Sequence, residues 1–440
     1  MQMNLLYLHS QSIGYGRLGV HLAEQIKNLG VTVYDHLDGT PPATMETIDG
    51  HLKGTATGRS NVVMWVSVPT HARGWWKGQT PVIFTMWEGM KLPEGFRDML
   101  HNFDTVIVPS LHNLELFGKY HDNVRYVPLG IDPARWHPID RKPPTSEFRY
   151  LIGGSGKRKG TDLAVKAFKQ LWGKEGSWGD GPVPTLVMKN PKGEFFTSGP
   201  GSGPIRMVTG KLTDDEETDL YASAHCYIQP SRGEGFGLQP LQAIAQGCPT
   251  ILTAAHGHES FAHLGIGLSS KAVKADYFIY GDAGDWWEPD FDELYEAMRD
   301  VYERYDFHAK MAQVAAHEAV ETFTWENCAK GVIDAIGPER FTAYEGPEEW
   351  IENEGLLFRL VTRVDWNCEI AGNVMAFKKG KEYYEIADVK RILMEAGILD
   401  PSCLDDGGLA PEQVAKAGKY RAMHENCPFC EKPLQEKTPA

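Results

Sequence analysis

The stretch SRGEGFGLQPLQAIAQGCPTIL, residues 231–252, reads as a glycine-rich loop, a short helix and then a small apolar strand. It follows HCYIQPS, a strand-like run, so the loop falls at the carboxyl end of a strand, where open α/β sheets bind their ligands. Gly233, Gly235 and Gly237 let a ligand approach the backbone, and a helix beginning near Leu238 turns its positive end toward the same place. One acid, Glu234, sits inside that anion-friendly loop. A carboxylate there is awkward for a phosphate but suits paired hydroxyls, from which it can accept two hydrogen bonds. Gln242, on the helix behind, faces the same way.

Outward from this loop the chain alternates short apolar runs with helical stretches. NLLYL, VTVYDHL, NVVMWVSV, TPVIFTMW and FDTVIVPS come first; FRYLIGG, PTLVMKN, PIRMVTG, HCYIQPS and CPTILTA follow a Pro-rich passage near residues 138–147. This is the pattern of parallel strands with crossover helices. GYGRLGVHLAEQIKNLG places Leu18, Leu22, Ile26 and Leu29 on one helical face and stops at Gly30. The expectation is an α/β chain of two facing Rossmann-like domains, 1–143 and 144–318. Closing helices at 319–345 would pack back toward the first, a small β+α module would span 355–400, and a tail would follow at 401–440.

The net charge of −15 argues against a surface coated in basic groups, though not against a local basic patch. No apolar run reaches the roughly 18 residues of a membrane span, and the start lacks the basic region of a signal peptide, so a soluble protein of a cytoplasm is expected. Seven scattered cysteines suit reduced thiols better than a disulfide framework. Asp290-Phe291-Asp292 has metal-binding spacing, but it precedes a helix, where Asp serves as a cap. In the tail, His424, Cys427 and Cys430, with Cys403, have the spacing of a structural zinc site, to be weighed against free thiols.

Two further segments carry candidate chemistry. Gly14-x-Gly16-x-x-Gly19, with Asp35 ending the second strand, spells a dinucleotide fingerprint. A spacer separates strand from glycines, and the second half holds its own anion loop, which a dehydrogenase would not need. THARGWWKGQ interleaves His71, Arg73, Trp75, Trp76 and Lys77 in a segment expected at the ligand edge of the first half. Cations beside aromatic rings suit nucleic acid, suit carbohydrate stacking, or anchor a loop.

The 231–252 stretch resembles the donor-site motif of retaining glycosyltransferases of family 4, with the GT-B fold. Other pieces match that family in order: GYGRLGVHLAEQIKNLG, TMWEGMKLPEGF, VPSLHNLELF, VPLGIDPARWHP, RKGTDLAVKAF, GDWWEPDFDELYEAM and FTWENCAKGV, together covering about residues 4–337. The resemblance implies a nucleotide-sugar donor, a UDP- or GDP-sugar, and no catalytic metal. Glu234 would hold the sugar hydroxyls. Lys159, with Arg158 or Lys157 beside it, would neutralise the diphosphate, helped by the amides of Gly235, Phe236 and Gly237 before Leu238. Gly14 and Gly16 would form the amino-terminal glycine loop, Lys189 would reach the donor, and His71 would touch sugar or acceptor. The family's second acid, which holds the ribose, is replaced here by Gln242.

Residues 356–399 resemble barrel-plus-helix segments of tailed-phage proteins, implying a phage enzyme. Its acceptor would be a 5-hydroxymethylpyrimidine in double-stranded phage DNA, such as 5-hydroxymethylcytosine, reached through Arg73, Trp75, Trp76 and Lys77. The alternatives are virion protein or another glycan as acceptor, a sugar-binding protein without activity, a phosphorylase, and a nicotinamide enzyme.

Overall fold

The computed structural model describes residues 1–7, 14–35, 60–69, 72, 74–154, 156–174, 176–189, 204–276, 282–347, 350–352, 377–379 and 382–384. Two six-stranded sheets, parallel throughout, organise them. The first contains β1 (Gln2–Tyr7), β2 (Thr32–Asp35), β3 (Val62–Val66), β5 (Thr80–Phe84), β6 (Thr105–Val108) and β7 (Val124–Tyr126), in the order β2-β1-β3-β5-β6-β7. The second contains β8 (Glu147–Gly153), β9 (Val183–Lys189), β10 (Ile205–Val208), β11 (Cys226–Gln229), β12 (Thr250–Thr253) and β13 (Ile266–Leu268), in the order β10-β9-β8-β11-β12-β13. All ten expected strands are present. Burial on both faces explains their unbroken apolar character: all five residues of β3 are buried.

In each sheet the strand order reverses beside the first strand, at β1/β3 and at β8/β11. Such a reversal opens a crevice beyond the carboxyl ends of the strands. The turn after β8 and the loop after β11 therefore share one crevice, and both anion-friendly segments of the second half lie there.

The helix Gly14–Asn28 buries Leu18, Leu22 and Ile26, as the spacing predicts, and the chain leaves it through Gly30 at φ +82°. Against that face lies the helix Trp325–Ile336, with Cys328, Ala329 and Val332 in the same core. The rings of His21 and Trp325 stack at 4.9 Å. The amides of Gln2 and Asn61 donate to the carbonyls of Phe341 and Thr342. The chain after Phe323 is thus part of the first body.

Two antiparallel additions escape sequence patterning. The hairpin of β14 (Ser270–Lys274) and β15 (Asp285–Pro289) projects from the second sheet, and β4 (Gly74–Trp76) pairs with β16 (Trp350–Glu352). Of the expected carboxyl-terminal module, the described residues hold one strand pair, β17 (Phe377–Lys379) with β18 (Glu382–Tyr384). The zinc candidates Cys403, His424, Cys427 and Cys430 lie outside the described residues. Among the described residues no helix is long and apolar enough to cross a membrane. Asp290 caps the helix Phe291–Glu303, accepting from the amides of Asp292 and Glu293.

Where the link between the sheets meets the returning chain, Ile131 pairs with Thr324, and a Cβ on Gly130 would lie 2.1 Å from the Thr324 carbonyl carbon. Gly130→Ala is expected to lower unfolding free energy by about 1–3 kcal/mol, the usual cost of overpacking, measured by urea denaturation.

Candidate functional site

Two turns meet at the β8/β11 crevice. The first runs from Gly154 through Lys157-Arg158-Lys159 to Gly160, with φ of +86° at Gly154 and +69° at Gly160. At Gly160 only glycine fits, since a Cβ would fall 1.8 Å from the Pro230 carbonyl oxygen. That contact sets the lysine-rich turn directly on the second, Ser231–Gly237.

Arg232 locks the two together. Its guanidinium is almost fully buried and meets Asp162 through two hydrogen bonds of 2.8 Å and Glu288 at 3.0 Å; it also donates to the Lys157 carbonyl. The sequence reading missed this residue, although an acid placed just after Lys159-Gly160 is the signal that a partner was needed.

Within this frame Glu234 is buried and ion-paired. Lys159 Nζ stands 2.6 Å from Oε1, Arg158 Nη1 stands 3.5 Å from Oε2, and Ser231 Oγ donates to Oε1 at 3.0 Å. Arg158 also donates to the Gly233 carbonyl at 2.5 Å. Burial alone would raise the Glu234 carboxyl; Lys159 first and Arg158 second overcome it and hold the group well below the usual carboxylate range. Burial pulls the Lys159 ammonium down from its usual range, with Glu234 opposing. The result is an ionised acid with two cations at the mouth of a helix, able to meet hydroxyls and phosphate oxygens together.

The rest of the loop is built around packing. Phe236 is buried, its ring 5.3 Å from that of Phe261 and 6.3 Å from that of Phe323. Gly237, at φ +111°, precedes the helix Leu238–Ala245, and a Cβ there would strike the His258 ring. Gln242 is buried on that helix, and its Oε1 has no hydrogen-bond partner. His256 and His258 lie beneath the loop. His256 is the only non-glycine residue with positive φ among those described, held at φ 50° while its Nε2 contacts the Ser231 carbonyl at 3.0 Å. His258 Nδ1 contacts the Thr253 carbonyl at 3.1 Å.

Other sequence candidates go elsewhere. Lys157 leaves the pair and meets Asp276 at 2.6 Å on the surface. Lys189, at the end of β9, is committed to Glu217, whose second oxygen receives Arg17 of the first domain at 2.9 Å. Gly14 and Gly16 begin the helix carrying that arginine. His71 and Arg73 lie outside the described residues.

Trp75, Trp76 and Lys77 require a correction. They were expected at the ligand edge, but β4 carries the chain back toward the amino end of the sheet. Thr80, three residues on, pairs with Val62 at the start of β3, and the Lys77 carbonyl accepts from Tyr344. Trp75 is core, 5.8 Å from Phe103. The tryptophans serve packing and strand pairing, away from the crevice.

The first domain reaches the Ser231–Gly237 loop through residues that sequence reasoning passed over. Asn113 receives the Trp87 amide at 2.6 Å and donates to the Gly235 carbonyl at 3.3 Å, so one side chain spans both domains. Met86 packs on Gly235, and the Glu88 carbonyl on Gly233. Among the described residues there is no cluster of three or more potential metal ligands.

The family model described as "Family 4 Glycosyltransferase in conflict systems" matches residues 111–332. Curated relatives include mannosylfructose-phosphate synthase of Agrobacterium fabrum, 22% identical over 55% of this chain and 54% of that protein. Another is the GDP-mannose-dependent alpha-(1-6)-phosphatidylinositol dimannoside mannosyltransferase of Mycobacterium tuberculosis, 24% identical over 54% and 58%. The chain spans about half the length of the curated relatives it matches. Among solved structures, sucrose-phosphate synthase of Thermosynechococcus elongatus superposes with a TM-score of 0.55 at 15% identity, covering 76% of this chain and 98% of that one. The glycosyltransferase WaaG gives a TM-score of 0.50 at 18% identity, covering 76% and 99%. Both share the two-domain fold.

The buried histidines set a pH dependence. Burial holds His258 down at about 4, against an ordinary value of 6.5. Between those values the unfolded chain binds the proton and the folded one does not, so stability falls as pH drops through that window. The loss from His258 is on the order of 3 kcal/mol. Urea denaturation of His258→Gln is expected to show a shallower decline between pH 6.5 and 4 than wild type; an unchanged slope would show that His258 does not titrate this way.

Proposed function

From the premise that the chain belongs to the family 4 glycosyltransferases in conflict systems, we propose that it moves a hexose from a UDP- or GDP-sugar to an acceptor hydroxyl, retaining the anomeric configuration. One observation carries the reading. A buried, ionised Glu234 is paired with Lys159 and Arg158 on a glycine loop at the crevice where both turns of the second domain meet. Glu234 accepts from two hydroxyls of the donor sugar, and its cations are positioned to share their charge with the diphosphate.

In the transfer step the bond from the anomeric carbon to the diphosphate oxygen breaks, and its electron pair stays on the diphosphate. Lys159, Arg158 and the amides beginning at Gly235 meet that growing charge in a site already oriented for it. The two side-chain cations supply the positive charge locally, so the reading invokes no divalent ion. Gln242 fits the ribose. Its buried Oε1, without a partner, costs about 1–3 kcal/mol, and a ribose hydroxyl would relieve that cost.

For the acceptor, the expectation of hydroxymethylated phage DNA drew on the strip from His71 to Lys77 and on the phage-like segment 356–399. Trp75, Trp76 and Lys77 lie away from the crevice and lend it no support, while His71 and Arg73 lie outside the described residues. The reading favoured is a hydroxylated acceptor lacking dense negative charge, entering from the first domain.

A thermal-denaturation screen with UDP-, GDP-, ADP- and TDP-sugars tests the reading. One donor, present at 100 times its Kd, is expected to stabilise wild type by about 2.7 kcal/mol. Glu234→Ala should lose that stabilisation. Absence of any stabilisation by every sugar nucleotide would sink the proposal.

A further inference from the structure

The first domain brings a second carboxylate to the site. Glu88 lies in the loop between β5 and the helix Glu94–Leu100, and its backbone is pinned on several sides. Asn113 holds both the amide and the carbonyl of Trp87, at 2.6 and 3.2 Å. The amides of Met90 and Lys91 donate to the carbonyls of Asp285 and Ala283 at 3.0 Å each, tying the loop to the β14–β15 hairpin. Gly233 packs so closely on the Glu88 carbonyl that a Cβ there would come within 2.1 Å.

This pinning sets where the side chain can act. Glu88 Oε1 stands 3.8 Å from Arg158 Nη1, the same nitrogen that lies 3.5 Å from Glu234 Oε2. Two carboxylates, one from each domain, converge on one guanidinium. Their surroundings differ: the Glu234 side chain is 9% exposed and that of Glu88 is 26%. Glu234 is enclosed by its loop, whereas Glu88 keeps an open face toward solvent from the domain opposite the donor loop.

We propose that Glu88 is the acceptor-binding carboxylate of this site, taking a hydrogen bond from a hydroxyl of a neutral, polyhydroxylated acceptor and directing its oxygen toward the donor's anomeric carbon. The assignment rests on the glycosyl-transfer reading. In the step, the acceptor oxygen bonds to the anomeric carbon as the carbon–diphosphate bond breaks. The electron pair leaves on the diphosphate, and the hydroxyl proton passes to a diphosphate oxygen. Glu88 orients the hydroxyl and takes no proton in this step. Arg158 couples the two halves of the site: a diphosphate drawing on its charge loosens its hold on Glu88 and leaves that carboxylate open to a hydroxyl. An acceptor with dense negative charge would meet Glu88 with repulsion.

The test compares wild type with Glu88→Gln, Glu88→Asp and Glu234→Ala. Two quantities are read for the donor that stabilises wild type: that stabilisation, and nucleotide release with water alone and with added glycerol, glucose or glucose 6-phosphate. Glu88→Gln is expected to keep the donor stabilisation and the donor KM. Its kcat should fall about tenfold, as the charge-assisted hydrogen bond to a carboxylate gives way to the weaker one an amide oxygen accepts. Glu88→Asp should recover part of that rate, and glycerol or glucose should stimulate wild type more than glucose 6-phosphate does. Loss of donor stabilisation in Glu88→Gln, as in Glu234→Ala, would overturn the assignment by making Glu88 part of the donor loop. Wild-type kcat in Glu88→Gln, or preference for the phosphorylated sugar, would also overturn it. Wild type that binds no donor, or binds it and releases no nucleotide, would overturn the transfer reading itself.

Discussion

The guanidinium of Arg232, held between Asp162 and Glu288 with little solvent around it, is the constraint on which the site depends. It joins three segments that the chain brings together from far apart: the helix start after Gly160, the loop after β11, and strand β15. Each carboxylate fixes one segment against the same planar cation, and the fork geometry of arginine matches both at once. A lysine could neutralise either acid but could not orient both. With those segments fixed, Lys159 and Arg158 have one place to point, and Glu234 lies there.

Holding Glu234, Lys159 and Arg158 out of water has a cost that their mutual attraction must offset, so such a cluster is weak evidence of stability gained. Its significance is orientation. Groups already aligned before a ligand arrives need not reorganise when charge develops, the condition under which fixed dipoles and cations act most strongly. Removing one member is harsher than removing the set, because a lone buried charge remains. Glu234→Ala would therefore disturb Lys159 as well as any hydroxyl contact, and the isosteric Gln variant is the gentler comparison.

Much of the architecture was legible because it rests on local patterns. Fully apolar strands, helices with Leu18, Leu22 and Ile26 on one face, and a glycine loop before Leu238 each follow from periodicity and backbone freedom. At the candidate site, Glu234 stood out on its own glycine loop at a strand end, whereas Lys159 stood out only through the family resemblance of RKGTDLAVKAF. Where patterning failed, the deciding contacts were long-range. Nothing near THARGWWKGQ indicates that β16, some 270 residues on, pairs with Gly74–Trp76 and draws the tryptophans from the crevice. Asn113 and Glu88 look like ordinary polar residues until the opposite domain is placed against them, and Arg232 until Asp162 and Glu288, distant in sequence, close on it. The family resemblance placed Lys189 toward the donor, whereas in the structure Glu217, from a helix after the next strand, pairs with it.

The helix Trp325–Ile336 completes the core begun by Leu18, Leu22 and Ile26, so the first body is discontinuous in sequence. During synthesis the amino-terminal segment leaves the ribosome with this apolar seam open. It must wait while the whole second sheet is made, some tens of seconds at usual elongation rates. The second sheet has its strands in one unbroken run and can close first. The nascent chain therefore matures out of order, the face of its first helix among the last surfaces to be buried.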